Sequence, residues 1–277
     1  MGDVLGQIGT YVKASVEDAR RFAETTLRGP PEARIFFLHI QKCGGTSVDG
    51  AIRRLYRSAR PDGWDPVAHL QPRPAYLASK EVGMGMYSYR QQLAHYFLSN
   101  PDNRYVTGHF QVSPELVAAH EDSVDFVVLF RDPVKKWFSY YFFNKYKSKS
   151  AGRIESDIET YLGTKRARDV GCDYVQLLTG NADEETAVTR REEVQQQALD
   201  CLDRFSVAGV LERLDDFRAD FREQFGRSLN ILHRNPSPAS DDDRERETIT
   251  PEVRERVESI CEPNKRIYEA VVSRLDD

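Results

Sequence analysis

The stretch from Arg34 to Gly50, RIFFLHIQKCGGTSVDG, constrains the fold of this chain more than any other. Ile35 to Ile40 is apolar at nearly every position, the pattern of a central strand in a parallel sheet covered on both faces. The run breaks at Gln41-Lys42-Cys43-Gly44-Gly45-Thr46-Ser47. A helical pattern follows, with Val48, Ile52, Leu55 and Tyr56 on one side and Asp49, Arg53, Arg54 and Arg57 on the other. Strand, glycine turn and helix is a geometry that binds phosphate. Adjacent glycines let the backbone turn tightly, and the new helix offers unsatisfied N–H donors and the positive end of its dipole. Lys42 adds a full charge, and Thr46 and Ser47 add hydroxyl donors. The Walker order GxxxxGK[ST] is absent, because the lysine here precedes the glycine pair. The plain alternative is a strand–turn–helix connection whose glycines only make the turn.

A second constellation begins with the buried-type strand Val124 to Phe130 and continues through Arg131-Asp132-Pro133 into a helix expected to run to about Lys149. Arg131 stands at a strand end, where ligands of open α/β sheets bind. Ser139 lies eight residues on, about two turns into the helix. An arginine fork and a hydroxyl from the adjoining helix can grip one phosphate from two sides. Otherwise Arg131 pairs with a carboxylate and Ser139 faces solvent. A third strand end is Arg104-Tyr105-Val106-Thr107, followed by Gly108-His109-Phe110.

These residues carry a resemblance. The order Lys-x-Gly-Gly-Thr-Ser behind an apolar strand ending in His-Ile resembles the 5′-phosphosulfate loop of sulfotransferases that use 3′-phosphoadenosine 5′-phosphosulfate (PAPS). It is most similar to the carbohydrate branch of heparan sulfate 2-O-sulfotransferases and bacterial relatives. Their loop reads Pro-Lys-Thr-Gly-Gly-Thr-Ser, so Gln41 and Cys43 depart from it. The Arg131…Ser139 arrangement resembles that family's 3′-phosphate site. Thr107-Gly108-His109 matches a His-Gly-His segment in which Thr107 replaces the first histidine. Weaker likenesses are Asp173 to Gly180, Gly209 to Arg213 and Asn264 to Glu269; residues 53–100 are unmatched.

The resemblance implies an α/β fold: a parallel β-sheet flanked by helices, of the P-loop NTPase-like sulfotransferase type. It implies PAPS-dependent transfer of a sulfonate to an acceptor hydroxyl, most simply on a carbohydrate. The donor would sit on Lys42, Cys43, Gly44, Gly45, Thr46, Ser47, Arg131 and Ser139. Lys42 would also stabilise charge in the transition state, and no metal is required. His109 would be the base, since removing a hydroxyl proton calls for a group that titrates near neutrality. Rival bases are Asp65 and Glu81, in the unmatched stretch. His39 reads as a core histidine, and His69, His95, His120 and His233 have no motif around them.

Two further readings stay open: a P-loop-type nucleotide or small-molecule kinase, which needs a Walker lysine after the glycines, and a nucleotide-binding domain without catalysis. Neither acceptor identity nor oligomeric state is written in these motifs.

The remaining chain sets the frame. Residues 1–30 are expected to form an amphipathic helix ended by Gly29-Pro30-Pro31, and 31–277 a single domain. Residues 67–86 read as irregular. Helices are expected over about 89–99, from Ser113-Pro114-Glu115, over 186–203 and 211–225, and from Thr250-Pro251-Glu252 onward. A strand is expected over 205–210 and a polar loop over 236–247. Alternating strands and helices predict right-handed parallel crossovers. The net charge of −5 gives no bulk attraction to nucleic acid. No apolar run approaches the ~20 residues of a membrane span, and the N-terminus lacks a signal-peptide core. A cytoplasmic protein is expected. The four cysteines are scattered, with no CxxC spacing, and read as reduced thiols. Residues 131–153 hold seven basic side chains and one acidic, read as a solvated face or as a basic rim for anionic ligands.

Overall fold

A computed structural model describes residues 30–57, 65–180, 190–232 and 249–276. The expected N-terminal helix, the loop 236–247 and His233 lie outside the described residues.

Among the described residues five strands form one sheet: β1 (Ile35–Leu38), β2 (Val67–His69), β3 (Tyr105–Gly108), β4 (Asp125–Phe130) and β5 (Val207–Val210). Their order is β2-β3-β1-β4-β5, and every pairing is parallel. The α/β parallel sheet flanked by helices is as the sequence implies. Alternate residues of β1 serve two cores. Ile35 and Phe37 face α1 (Gly45–Arg57) and a later helix, Leu214–Phe225, while Phe36 and Leu38 face the opposite layer. All four are essentially inaccessible to solvent. Burial of each such side chain stabilises by about 1.5–3 kcal/mol, which is why this run occupies the sheet centre.

α1 buries Val48, Ala51, Ile52, Leu55 and Tyr56, spaced three and four apart, against that face. Its polar side holds an Asp49–Arg53 ion pair at 2.9 Å. The opposite layer uses α2 (Pro72–Glu81), α3 (Met86–Ser99) and α4 (Pro114–Ala118) and, beyond α5 (Pro133–Tyr146) and α6 (Ile158–Leu162), which pack a separate cluster around Trp137, Tyr141 and Tyr161, α7 (Lys165–Thr179). It is completed by α8 (Arg191–Leu202), while α9 (Leu214–Phe225) covers the α1 side. The last helix is broken into α10 (Pro251–Ile260) and α11 (Glu262–Arg274). Three starts read from sequence carry their caps: Ser113 on Leu116, Asp132 on Lys135 and Thr250 on Val253, each with proline at the first turn.

Residues 67–86 are more regular than expected. They hold β2 and α2, whose Pro72 is a first-turn proline rather than a break. β2 is a three-residue edge strand, too short for a hydropathy pattern.

The strand order fixes where a ligand can sit. From β1 the chain passes to one side of the sheet for β2 and β3, then to the other side for β4 and β5. The direction reverses between β1 and β4, and such a switch point opens a crevice beyond the carboxyl ends of the strands. Among the described residues no helix is long and apolar enough to cross a membrane.

Candidate active site

Three neighbouring strand ends meet at this crevice. β1 delivers residues 39–47, β4 delivers Arg131, and β3 delivers Gly108 and His109. The turn after β1 is left-handed at Lys42 (φ 65°) and Gly44 (φ 74°). A non-glycine residue at that φ costs about 1–3 kcal/mol unless its surroundings enforce it. Here the Lys42 carbonyl accepts a 3.1 Å hydrogen bond from Arg131 Nη1. The ammonium of Lys42 sits 3.8 Å above the Phe143 ring on α5. Burial, and then the Arg131 charge, push its pKa down to about 8. Ser47 and Val48 donate their N–H groups to the Gly44 carbonyl. The N–H groups of Gly45 and Thr46 have no acceptor among the described residues, so the first turn of α1 keeps donors for an anion.

Gly44 is favoured by its left-handed φ and Gly45 is required by packing. A Cβ on Gly44 would fall 2.8 Å from Leu211 Cδ1, and one on Gly45 would fall 2.2 Å from His39 Cδ2. Gly45→Ala must displace the imidazole of His39. We expect a destabilisation of about 1–3 kcal/mol, the usual range for overpacking, read as a lower denaturant midpoint. An unchanged midpoint would mean that the His39 ring is free to move.

Cys43 turns the other way. Its side chain is fully buried, its thiol lies 3.4 Å from the Tyr174 hydroxyl, and burial pushes its pKa up to about 12. Only its backbone is placed to face a ligand. Tyr174 in turn clasps Arg131, donating to the Arg131 carbonyl at 2.6 Å while accepting from its N–H at 3.2 Å. The helix carrying Tyr174 is fixed by a polar cluster. Lys136 contacts Asp173 at 2.5 Å, and Asn264 bonds both Asp173 and the Tyr174 N–H. Of the seven basic residues between 131 and 153, Lys136 is therefore in the core, and Lys145 is spent on the carbonyls of Glu155 and Ser156. Ser139 is half-exposed, one helical turn before Phe143, so the two share the face of α5 that meets Lys42.

His109 is half-buried against His39, with ring centroids 4.5 Å apart. Its Nδ1 lies 2.5 Å from the His39 carbonyl oxygen, which can only accept. The proton therefore resides on Nδ1, and Nε2 carries the lone pair. Burial lowers the pKa of His109 below its usual value. Burial, followed by the proximity of His109, pushes His39 down to about 3. Both rings are neutral at pH 7. Thr107 lies within β3, wholly buried and paired in register with Phe37.

A cavity of about 310 Å³ opens at His39 and His109. Its charged and amide groups come from Gln41, Arg90, Gln111, Arg166, Asp169, Asp173 and Gln176. None of these was singled out from sequence as a site residue. Asp65 and Glu81 do not line it. Asp65 accepts from the Val67 N–H at the start of β2, the opposite end of the strand, and Glu81 is exposed at the end of α2. Elsewhere, His69 contacts Gln71, and His95 contacts His120. A family model described as the sulfotransferase family matches residues 27–274. No curated protein matches the chain.

Proposed function

The chain belongs to the sulfotransferase family, and from that premise we propose that it moves a sulfonate group from PAPS to a hydroxyl of a carbohydrate. The observation that carries this reading is the convergence at one switch point of an anion-binding turn, a strand-end arginine and a histidine with a free Nε2 lone pair.

The turn suits the donor's 5′ end. Gly45 and Thr46 keep unused N–H donors, and Lys42 adds a cation held close by its own backbone and Phe143. Arg131, with its main chain clasped by Tyr174, and Ser139 on the neighbouring face suit the 3′-phosphate. When bound, PAPS supplies the sulfonate and a nucleotide leaving group. His109 Nε2 takes the proton of the acceptor hydroxyl as that oxygen bonds to sulfur. The bond from sulfur to the bridging phosphate oxygen breaks, and its electron pair departs on 3′-phosphoadenosine 5′-phosphate (PAP). Lys42 and the turn's N–H groups stabilise charge that grows on the sulfonate and bridging oxygens, a contribution largest in the transition state. A kinase would place its lysine after the glycines, and here Lys42 precedes them.

The donor half is tested by affinity. PAP should bind better than 5′-AMP by about tenfold to a hundredfold, the worth of a charge-assisted contact of ~1.5–3 kcal/mol. Arg131→Ala should erase the preference. Calorimetry showing equal affinities for PAP and AMP in the wild-type chain would remove the 3′-phosphate assignment.

A further inference from the structure

The α2–α3 hairpin carries its large apolar residues on the outside. The face of α2 that packs inward is Ala75 and Ser79, both small and buried, while Tyr76 and Leu77, the latter 56 % exposed, look out. A surface helix ordinarily does the reverse. The turn between the helices, Val82-Gly83-Met84-Gly85, adds exposed Met84 and Val82, which is 61 % exposed. This turn is a built one. The N–H groups of Val82, Gly83 and Met84 donate to the carbonyls of Ala78, Lys80 and Ser79. Gly83 holds a left-handed φ of 67°, and a Cβ there would meet nothing within 4 Å. A hydrogen-bonded turn therefore holds two apolar side chains out into open solvent. Exposed Tyr87, in the first turn of α3, joins this patch to the wall of the cavity at His109. Grouped exposed apolar residues of this kind mark an interaction site. Across the mouth, Arg166 donates to the Gly152 carbonyl at 2.8 Å and so ties the loop 147–153 to the same opening. That loop brings Lys147, Lys149 and Arg153, and no acidic residue occurs from Pro133 to Arg153. Lys147 reaches Asn144, while Lys149 and Arg153 are exposed with no ion pair among the described residues. These are cations that neither the core nor the donor scheme uses. At the tip itself Glu81 offsets Lys80, so the positive charge comes from the loop.

We propose that the mouth of this cavity docks on an anionic lipid surface, with the Val82–Met84 tip inserted among the acyl chains and the 147–153 loop on the headgroups. Apolar side chains and basic residues side by side are what binding to an anionic bilayer surface draws on. Tyrosines at the edge of the tip suit the boundary between acyl chains and water, where one end of the side chain is dry and the other wet. Lys149 and Arg153 match the negative surface potential of such a bilayer. A second copy of the chain seated across both tip and loop would seal the cavity between them. A fluid lipid surface holds both and leaves the cavity open toward its headgroups. The proposal stands apart from the sulfonate-transfer reading, because docking needs no donor.

The experiment sediments the full chain, without PAPS, with vesicles of phosphatidylcholine alone and of phosphatidylcholine with phosphatidylglycerol at about 3:1. Partition into the mixed vesicles should exceed that into phosphatidylcholine by at least about tenfold, since each cation near such a surface is worth about fivefold. It should weaken as salt rises from ~0.05 to ~0.5 M. Val82→Asp together with Met84→Asp should lower partition into the mixed vesicles at least about tenfold. Lys149→Gln together with Arg153→Gln should abolish the preference for anionic lipid. All four positions are exposed, so denaturant midpoints should match the wild type and show that the fold is intact. If the tip variant does not fold, Leu77→Asp, on the outer face of α2, gives the same readout. No sedimentation with either vesicle, equal partition into the two, or partition that survives the tip substitutions would overturn the proposal. Dimerisation of the wild-type chain that the tip substitutions abolish, with no vesicle binding, would also overturn it, by assigning the patch to a second copy.

Discussion

His109→Ala should lower kcat by about 10²-fold or more, the usual contribution of a positioned general base, with PAP affinity unchanged. The expectation follows from tautomer and place. The His39 carbonyl takes the Nδ1 proton, so Nε2 is held as an acceptor. His109 lines the cavity next to the anion-binding turn, while the sequence-level rivals Asp65 and Glu81 lie elsewhere. The pH profile gives an independent readout. Burial depresses the pKa of His109 below its ordinary 6.5, so the base is lost only at a lower pH. The acid limb of kcat/KM should therefore fall below pH 6.5 and vanish in His109→Ala. Turnover near wild type would move the role to Asp169 or Asp173, the carboxylates on the same wall. Lost PAP binding would make His109 structural.

Lys42→Ala should reduce turnover far more than donor affinity. Lys42 is held in a left-handed backbone conformation, over Phe143 and beside Arg131, so its charge is preorganised. Removing one such donor from a developing anion typically costs ~10²–10³ in kcat. The folded pKa near 8, below the ordinary lysine value, carries a sign that can be checked. The ammonium is present below pH 8 and lost above it. In the free protein, kcat/KM for the donor should therefore decline as pH rises through about 8, and Lys42→Ala should lack this alkaline limb. An unchanged kcat with a raised KM for PAPS would make Lys42 a binding residue only.

The parts of this site that are written locally were legible in the sequence. The apolar run 35–40, the glycine pair, and the strand ends at Arg131 and His109 each declare themselves within a few residues. The fold class followed from their alternation with helices. Sheet order did not, because pairing of β1 with β3 and β4 joins residues seventy and ninety positions apart. The cavity wall was hidden for another reason. Nothing near Arg90 or Arg166 in the sequence ties either to His109, and only the fold brings them to one cavity. Tyr174 fell within the weaker likeness Asp173 to Gly180, but its hold on Arg131 spans 43 residues. Lys136 shows the same limit. It counted toward a basic face, and the structure buries it on Asp173.

The central claim is tested most directly by incubating the chain with ³⁵S-labelled PAPS and a panel of sugars, acid sugars and glycans, with His109→Ala alongside. The account predicts label transferred to a hydroxyl-bearing sugar acceptor by the wild-type chain, and transfer reduced about 10²-fold in the variant. Wild-type protein that binds PAP yet labels nothing in the panel, or a variant that labels as fast as the wild type, would contradict it.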